Sequence, residues 1–154
     1  MGEILVSNCI EWIENTLIAR LQANLPELVV EAFPDNPSEY EFIHPVGAVL
    51  VQYDSSSFSD DYCLAFTAQK RTMKFNVVSL TRSLREHNGC YDVLERVSQT
   101  ILGLKLDGFE QFKQETDSFS DEVDGVWTYV QSFVVKGLYL QQLPNYSEQD
   151  PYYE

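Results

Sequence analysis

The feature that most constrains the fold is an alternation of apolar and polar residues within the segment from Thr67 to Arg82. Met73, Phe75 and Val77 occupy every second position, and between and before them stand Thr72, Lys74 and Asn76. Because successive side chains of a strand point to opposite faces of a sheet, this period of two predicts a strand with one face in a core.

Two other segments have the three- and four-residue spacing of a helix with one apolar face. The first ends before Pro26, which disfavours helical geometry in the residue before it; its stripe is Val6, Ile10, Ile13, Leu17, Leu21 and Leu25, with Trp12 beside it. The second ends near Gly103, a natural helix terminator; its stripe is Tyr91, Leu94, Val97, Ser98 and Ile101.

Shorter β-type runs stand between the two helical segments. Leu28 to Phe33 is a short strand, closed by turn-forming residues from Pro34 to Pro37. Val46 to Tyr53 is apolar on both faces, which predicts a central strand covered on both sides. Asp54 to Asp61 is rich in serine and aspartate, and we expect a mobile loop there.

The last third of the chain predicts a β-hairpin. A first strand from Phe109 to Phe119 leads into the acidic segment from Asp121 to Gly125, and a second runs from Val126 to Tyr139. Asp-Gly is a strong hairpin turn dipeptide. The whole pattern predicts a single α+β domain over residues 1–140, a largely antiparallel sheet flanked by two helices. Residues 141–154 are predicted to be an acidic, flexible tail.

Composition excludes several classes of partner. The net charge is −14 at pH 7, so no large positive surface is expected to bind nucleic acid or anionic lipid. No apolar run reaches the ~20 residues of a membrane-spanning helix. Cys9, Cys63 and Cys90 have neither disulfide-framework nor zinc-site spacing, and we expect three reduced thiols in a reducing compartment.

The residues give catalysis no specific support. His44 and His87 are the only histidines, and each stands beside turn residues. Asp60-Asp61 and the acids from Asp121 to Asp124 lack the ligand order of a calcium loop. Glycine-rich phosphate-binding motifs are absent. We therefore expect no enzyme, no cofactor and no metal.

Charge segregation is the most informative functional feature. Five of the ten basic residues are Lys70, Arg71, Lys74, Arg82 and Arg85. The stretch from Asp107 to Asp124 is acidic, and its candidate contact residues are Asp117, Asp121, Glu122 and Asp124. The two stretches could be solvated faces paired within one chain, an anion-binding patch, or the two sides of a head-to-tail interface between subunits. Reversing Lys70, Arg71 and Lys74 to glutamate is then expected to weaken assembly and leave the fold intact.

Three segments together resemble a known family. They are His44–Tyr53 (HPVGAVLVQY), Arg71–Val78 (RTMKFNVV) and Asp124–Tyr129 (DGVWTY). In that order they look like the small tail proteins of Mu-type phages, regarded as tail terminators, whose relatives cap contractile injection systems. The resemblance spans residues 5–137 and rests on structural segments, since the family has no catalytic motif here.

The resemblance implies a structural protein that forms a ring, a hexamer, on the end of a tail tube or sheath and stops its polymerisation. Its partners would be other copies of itself and the tube or sheath protein. It would assemble in the cytoplasm and become part of a phage tail or contractile injection system. The alternatives are a head–tail connector or other adaptor of the same machinery, or a small acidic protein-binding module.

Overall fold

The computed structural model describes residues 8–60 and 65–141, which form two helices and one five-stranded sheet. Helix α1 spans Cys9–Asn24 and helix α2 spans Cys90–Ile101. In chain order the strands are β1 Val29–Ala32, β2 Gly47–Phe58, β3 Ala68–Thr81, β4 Lys113–Val123 and β5 Val126–Leu140. The predicted α+β class is confirmed.

The sheet has the order β1-β2-β3-β5-β4. All neighbouring pairs are antiparallel except β1 and β2, which are parallel. A parallel pair needs a crossover connection, and residues 33–46 supply it with a short 3₁₀ turn at Pro37–Glu39. The sheet is therefore mixed but largely antiparallel, as the sequence predicts.

Both helices pack on the same face of the sheet. α1 lies over β1 and β2, whereas α2 lies over β3, β4 and β5. The core between these layers is built from the predicted stripe of α1 and from Met73, Phe75 and Val77 of β3. On α2 the buried face is Cys90, Val93, Leu94, Val97 and Ile101, and the predicted stripe member Tyr91 lies outside it, 42% exposed. Val6, the first member of the α1 stripe, lies outside the described residues.

Local signals fix the ends of α1. The Asn8 side chain accepts a hydrogen bond from the Glu11 amide, which satisfies one of the amides that have no partner inside the helix, and donates one to the Glu11 carboxylate. The helix ends at Asn24, immediately before Leu25 and Pro26, as predicted. Trp12 is half-buried and its ring lies 6.3 Å from the Phe109 ring, so it packs against the core.

One predicted loop is wrong. Asp54 to Phe58 continue β2: Asp54 stands in a bulge, and Ser55 to Phe58 pair with Arg71 to Lys74 of β3. Polar composition suggests a loop, but here the backbone is paired with β3 and the polar side chains face solvent or each other. The Asn76 amide, for example, donates to Asp54 Oδ1 at 3.1 Å. Asp61, the end of that predicted loop, lies outside the described residues.

The predicted hairpin is confirmed, with a shifted start. β4 begins at Lys113, whereas Phe109 forms a single bridge with Gly137 and is buried. The two-residue turn is Asp124-Gly125, with φ angles of 53° and 81°. Positive φ at both positions is the type I′ geometry that joins strands of right-handed twist.

Candidate interaction surface

The basic stretch of β3 does not form one patch. Arg71 shares the helix-covered face of β3 with Met73 and Phe75, whereas Lys70 and Lys74 point to the opposite face, because side chains alternate along a strand. Arg71 is only 7% exposed. Reversal of Arg71 to glutamate is therefore expected to destabilise the fold, since a buried carboxylate would replace a buried cation.

The two lysines pair with acids of the same chain. Lys70 Nζ lies 2.6 Å from Glu110 Oε2, and Lys74 Nζ lies 3.2 Å from Glu115 Oε1. The hydrogen bond from Lys70 holds the pKa of the Glu110 carboxyl below its usual range. Both acids belong to the predicted acidic stretch, so part of the charge segregation is compensated within the chain.

Arg82 and Arg85 lie near the opposite end of β3 from Arg71. The Arg82 guanidinium donates to the carbonyls of His44 and Phe42 and lies 4.6 Å from the Phe42 ring centroid. Arg85 lies 5.5 Å from the Tyr91 ring centroid. These two arginines hold loops and an aromatic ring, and the structure does not bring them together with Lys70, Arg71 and Lys74.

The acidic candidates lie together on the β4–β5 hairpin. Asp117, Asp121 and Glu122 belong to β4, an edge strand of the sheet, and Asp124 is in the turn. None of the four forms an ion pair with another described residue; Glu122 Oε2 instead accepts the Gly125 amide at 2.7 Å. An exposed edge strand can form hydrogen bonds with a strand of another chain. The charged side chains of β4 and its two bulges, at Gln114/Thr116 and Phe119/Asp121, disfavour such unspecific pairing.

Aromatic side chains line the helix-side face of this hairpin. Phe119 lies 5.6 Å from Tyr129 and 6.1 Å from Trp127, and Tyr129 lies 6.4 Å from Tyr91, all as ring-centroid distances. Phe119 is 53% exposed. The hairpin thus combines exposed carboxylates with an exposed aromatic ring.

Arg71 occupies an enclosed position at the other end of the sheet. Its Nε donates to Ser56 Oγ at 2.9 Å, and its other nitrogens lie 3.5 Å from the Tyr53 hydroxyl and 3.8 Å from Cys9 Sγ. The guanidinium lies 4.7 Å from the Tyr139 ring centroid and 5.5 Å from that of Phe58. We call this group the arginine socket: Arg71, Ser56, Phe58 and Tyr139.

The charge pattern of the sequence predicts Arg71 in a surface patch and does not include the other members of the socket. The alternation along β3 nevertheless indicates that Arg71 is buried, because it lies an even number of residues from Met73, Phe75 and Val77 and so shares their face. The approach of Phe58 and Tyr139 depends on strand register: β3 pairs Phe58 with Arg71 on one side and Gly137 with Arg71 on the other. That register is not visible in the sequence.

The opposite face of the sheet has a shallow groove beneath the crossover connection. Leu50, Val78 and Val130 form part of its floor, and Pro34 and Tyr40 overhang it; its volume is about 370 Å³. It is mostly apolar. A smaller share of polar lining comes from Gln52, Asn76 and Asp121.

The residues considered for chemistry do not converge on this groove. His44 Nδ1 accepts the amides of Val46 and Gly47, and His87 is exposed beside Asp92 at 3.7 Å. Burial raises the pKa of the Cys90 thiol, which disfavours the reactive thiolate. Within residues 8–60 and 65–141, no three His, Cys, Asp or Glu side chains are grouped to hold a metal ion. Cys63 lies outside the described residues.

No helix in the described part of the chain is long and apolar enough to cross a membrane. The predicted acidic tail from residue 142 onward lies outside the described residues.

Comparisons with known proteins identify a family and a fold relative. Residues 17–152 match the family model of the Gp37 protein. A chain from the virion of a native gene transfer agent (GTA) particle is similar in structure, with a TM-score of 0.50 and 11% sequence identity over 77% of this chain and 84% of that chain. At this identity the likeness shows the fold alone. None of the curated proteins compared with the chain matches it, and the finer resemblance to Mu-type small tail proteins stays a prediction.

Proposed function

The chain belongs to the Gp37 protein family, and from this membership and its fold we propose that it is a structural component of a phage-tail-like particle. The observation that carries the proposal is the fold shared with a chain of a gene transfer agent virion. A role in assembly asks for surfaces that recognise other subunits, and the hairpin and the arginine socket are such surfaces. No reacting group is required of the chain.

Within that role we infer that the protein forms a ring on the end of a tail tube or sheath and terminates its polymerisation. The resemblance of residues 44–53, 71–78 and 124–129 to Mu-type tail terminators supports this finer role. The distribution of charge also supports this role, because the hairpin carboxylates lie at one end of the sheet and the buried cation Arg71 lies at the other. Unlike ends that meet head to tail close into a ring when the rotation from one subunit to the next completes a circle.

In this proposal the partners are copies of the same chain, in a hexamer, and the tube or sheath protein. Residues 1–140 form the domain that builds the ring, and residues 141–154 are a separate acidic tail. Assembly takes place in the cytoplasm before the chain becomes part of the particle. The proposed interface involves two sets of residues, which contact a partner directly or hold the interface loops in place. The basic set is Lys70, Arg71, Lys74, Arg82 and Arg85, and the acidic set is Asp117, Asp121, Glu122 and Asp124.

Copy number in purified particles tests the proposal. Quantitative mass spectrometry with isotope-labelled peptides of this chain and of the tube protein gives their molar ratio. We expect about six copies of this chain per particle, one closed ring, and the same number in particles with longer tubes. Absence from the particle would contradict the structural role, and a number that rises with tube length would contradict the terminal position.

A further inference from the structure

The arginine socket holds a cation that has no charged partner among residues 8–60 and 65–141. Arg71 is 7% exposed, and its hydrogen-bonding partners are the neutral groups of Ser56, Tyr53 and Cys9. No carboxylate of the described residues lies within ion-pair distance of it. A buried guanidinium is costly unless it is paired, and its planar fork of donors fits a carboxylate.

The rim of the socket is exposed and aromatic. Phe58 is 49% exposed and Tyr139 is 39% exposed, and their rings meet edge to face at 5.9 Å. The same strand end carries Leu138 and Leu140, which are also exposed. Arginine beside aromatic side chains at a partly desolvated position is the composition that dominates binding energy at protein interfaces.

The unpaired carboxylates of the hairpin cannot reach the socket of their own chain. Arg71 pairs with Gly137, whereas Asp117, the nearest of the four hairpin acids, pairs with Gln131, which pairs with Val77. Arg71 and Val77 are six residues apart on β3, and at the rise of an extended strand that separation is about 20 Å. A carboxylate of this hairpin that meets the guanidinium must therefore come from another copy.

We propose that the arginine socket of one copy binds the β4–β5 hairpin of a second copy, with Asp117 on the Arg71 guanidinium and Phe119 against Phe58 and Tyr139. Asp117 pairs with Gln131 and Phe119 pairs with Tyr129, so both side chains lie on the helix-side face of the hairpin, and this face offers both the charge and the ring that the socket lacks. The contact joins unlike surfaces, so each copy keeps a free hairpin at one end and a free socket at the other. The inference rests on the proposed function, because it names the contact that would close the ring.

Two variants with complementary defects test the contact. The socket variant, Arg71→Gln, keeps an intact hairpin, and the hairpin variant, Asp117→Asn, keeps an intact socket. A matched control, Asp121→Asn, removes the same unit of charge from the opposite face of the same hairpin, because Asp121 pairs with Thr128 beyond the bulge. Sedimentation velocity over a concentration series in low salt measures association of each protein alone and of the two variants mixed.

We expect the wild type and the control to associate and each variant alone to associate at least about tenfold more weakly, because loss of one partner leaves the other charge unpaired in the interface. Mixing the variants should restore one intact contact, giving complexes of two copies that grow no further. A wild type that stays monomeric at the highest concentration, variants that associate like the wild type, or a mixture no different from its components would overturn the proposal.

Folding is controlled separately. Circular dichroism and the unfolding midpoint report whether Arg71→Gln is native; if it is not, Arg71→Lys replaces it, keeping the charge but losing the fork. The hairpin substitutions are on exposed positions and leave the core untouched. The copy number in particles distinguishes a failure of this contact from a failure of the proposed function. If particles contain about six copies but the variants associate like the wild type, only the proposed contact is contradicted. If the mixed variants complement each other but particles lack the chain, only the proposed function is contradicted.

Discussion

At the scale of single residues, Gly137 is the strand glycine with the least room for an added Cβ atom. A Cβ at this position would lie 2.5 Å from Phe109 Cδ1 and 2.6 Å from Cε1. The Phe109 ring is buried in the core, so it cannot swing into solvent to make room. Glycine is required here by the close approach of a ring, and this is a packing constraint that no turn signal in the sequence announces.

We predict that Gly137→Ala lowers the free energy of unfolding by about 1–3 kcal/mol, the cost of forcing an extra methyl group into a filled core. Urea unfolding followed by tryptophan fluorescence measures it. The control is Lys136→Ala on the neighbouring exposed position, which should change stability by less than about 0.5 kcal/mol. Equal midpoints for Gly137→Ala and the wild type would show that Phe109 yields without cost.

Single residues also show what the sequence could and could not predict about the site. The alternation along β3 is enough to place Arg71 on the buried face. A charged side chain, however, ordinarily favours the surface, and the two signals conflict at this residue. The partners of Lys70 and Lys74 could not be predicted, since Glu110 and Glu115 reach them only through the β3–β5–β4 arrangement. Spatial pairing across strands has no local signature.

At the scale of the elements, Arg96 ties the two helices together. From α2 it donates to the Asn24 carbonyl at the end of α1 at 3.1 Å and to Glu27 Oε1 at 2.6 Å. Its Nη1 donates to Asn88 and Asp92 at the start of α2. One guanidinium therefore satisfies a terminal helix carbonyl and fixes the chain leaving α1 against α2.

This link makes part of the stability depend on pH. The Arg96 hydrogen bond holds the pKa of the Glu27 carboxyl below the ordinary glutamate value of 4.5. A carboxyl with a lowered folded-state pKa stabilises the fold above its unfolded-state pKa, and that stabilisation is lost as pH falls through the folded-state value. We predict that Glu27→Gln destabilises the protein at pH 7 and that the difference from wild type fades below pH 4.5.

Urea unfolding at a series of pH values measures this difference. The control is Glu95→Gln, at an exposed position of α2, which removes the same unit of negative charge without removing a contact of the Arg96 guanidinium. A difference between Glu27→Gln and wild type that stays constant down to pH 3, or one that Glu95→Gln reproduces, would contradict the assigned ion pair.

Elements with a strong local signal were predicted correctly. A local residue pattern predicts each of three features: the apolar stripe predicts α1, the alternation predicts β3, and the Asp-Gly dipeptide predicts the hairpin turn. The polar end of β2 was not predicted, because Asp54 to Phe58 are extended only through pairing with β3. The parallel pairing of β1 with β2 likewise depends on a crossover over the sheet, which spacing along the chain does not encode.

At the scale of the whole molecule, the two ends of the sheet differ in chemistry. One end presents carboxylates and Phe119 on the hairpin, and the other presents Arg71 behind Phe58 and Tyr139. An acidic chain with net charge −14 repels its own copies at long range, so association depends on such a specific contact. These unlike ends fit the proposed ring, in which each copy would join the next head to tail.

If the chain forms a ring on the end of a tail tube, as proposed, it limits how long the tube grows. Tube protein from the same particle is polymerised with and without a substoichiometric amount of this chain, and lengths are measured by negative-stain electron microscopy. From this proposal we predict shorter tubes with a ring of density on one end, whereas the hairpin variant at the same concentration should give tubes closer in length to those of tube protein alone. An unchanged length distribution and bare tube ends at saturating wild-type chain would contradict it.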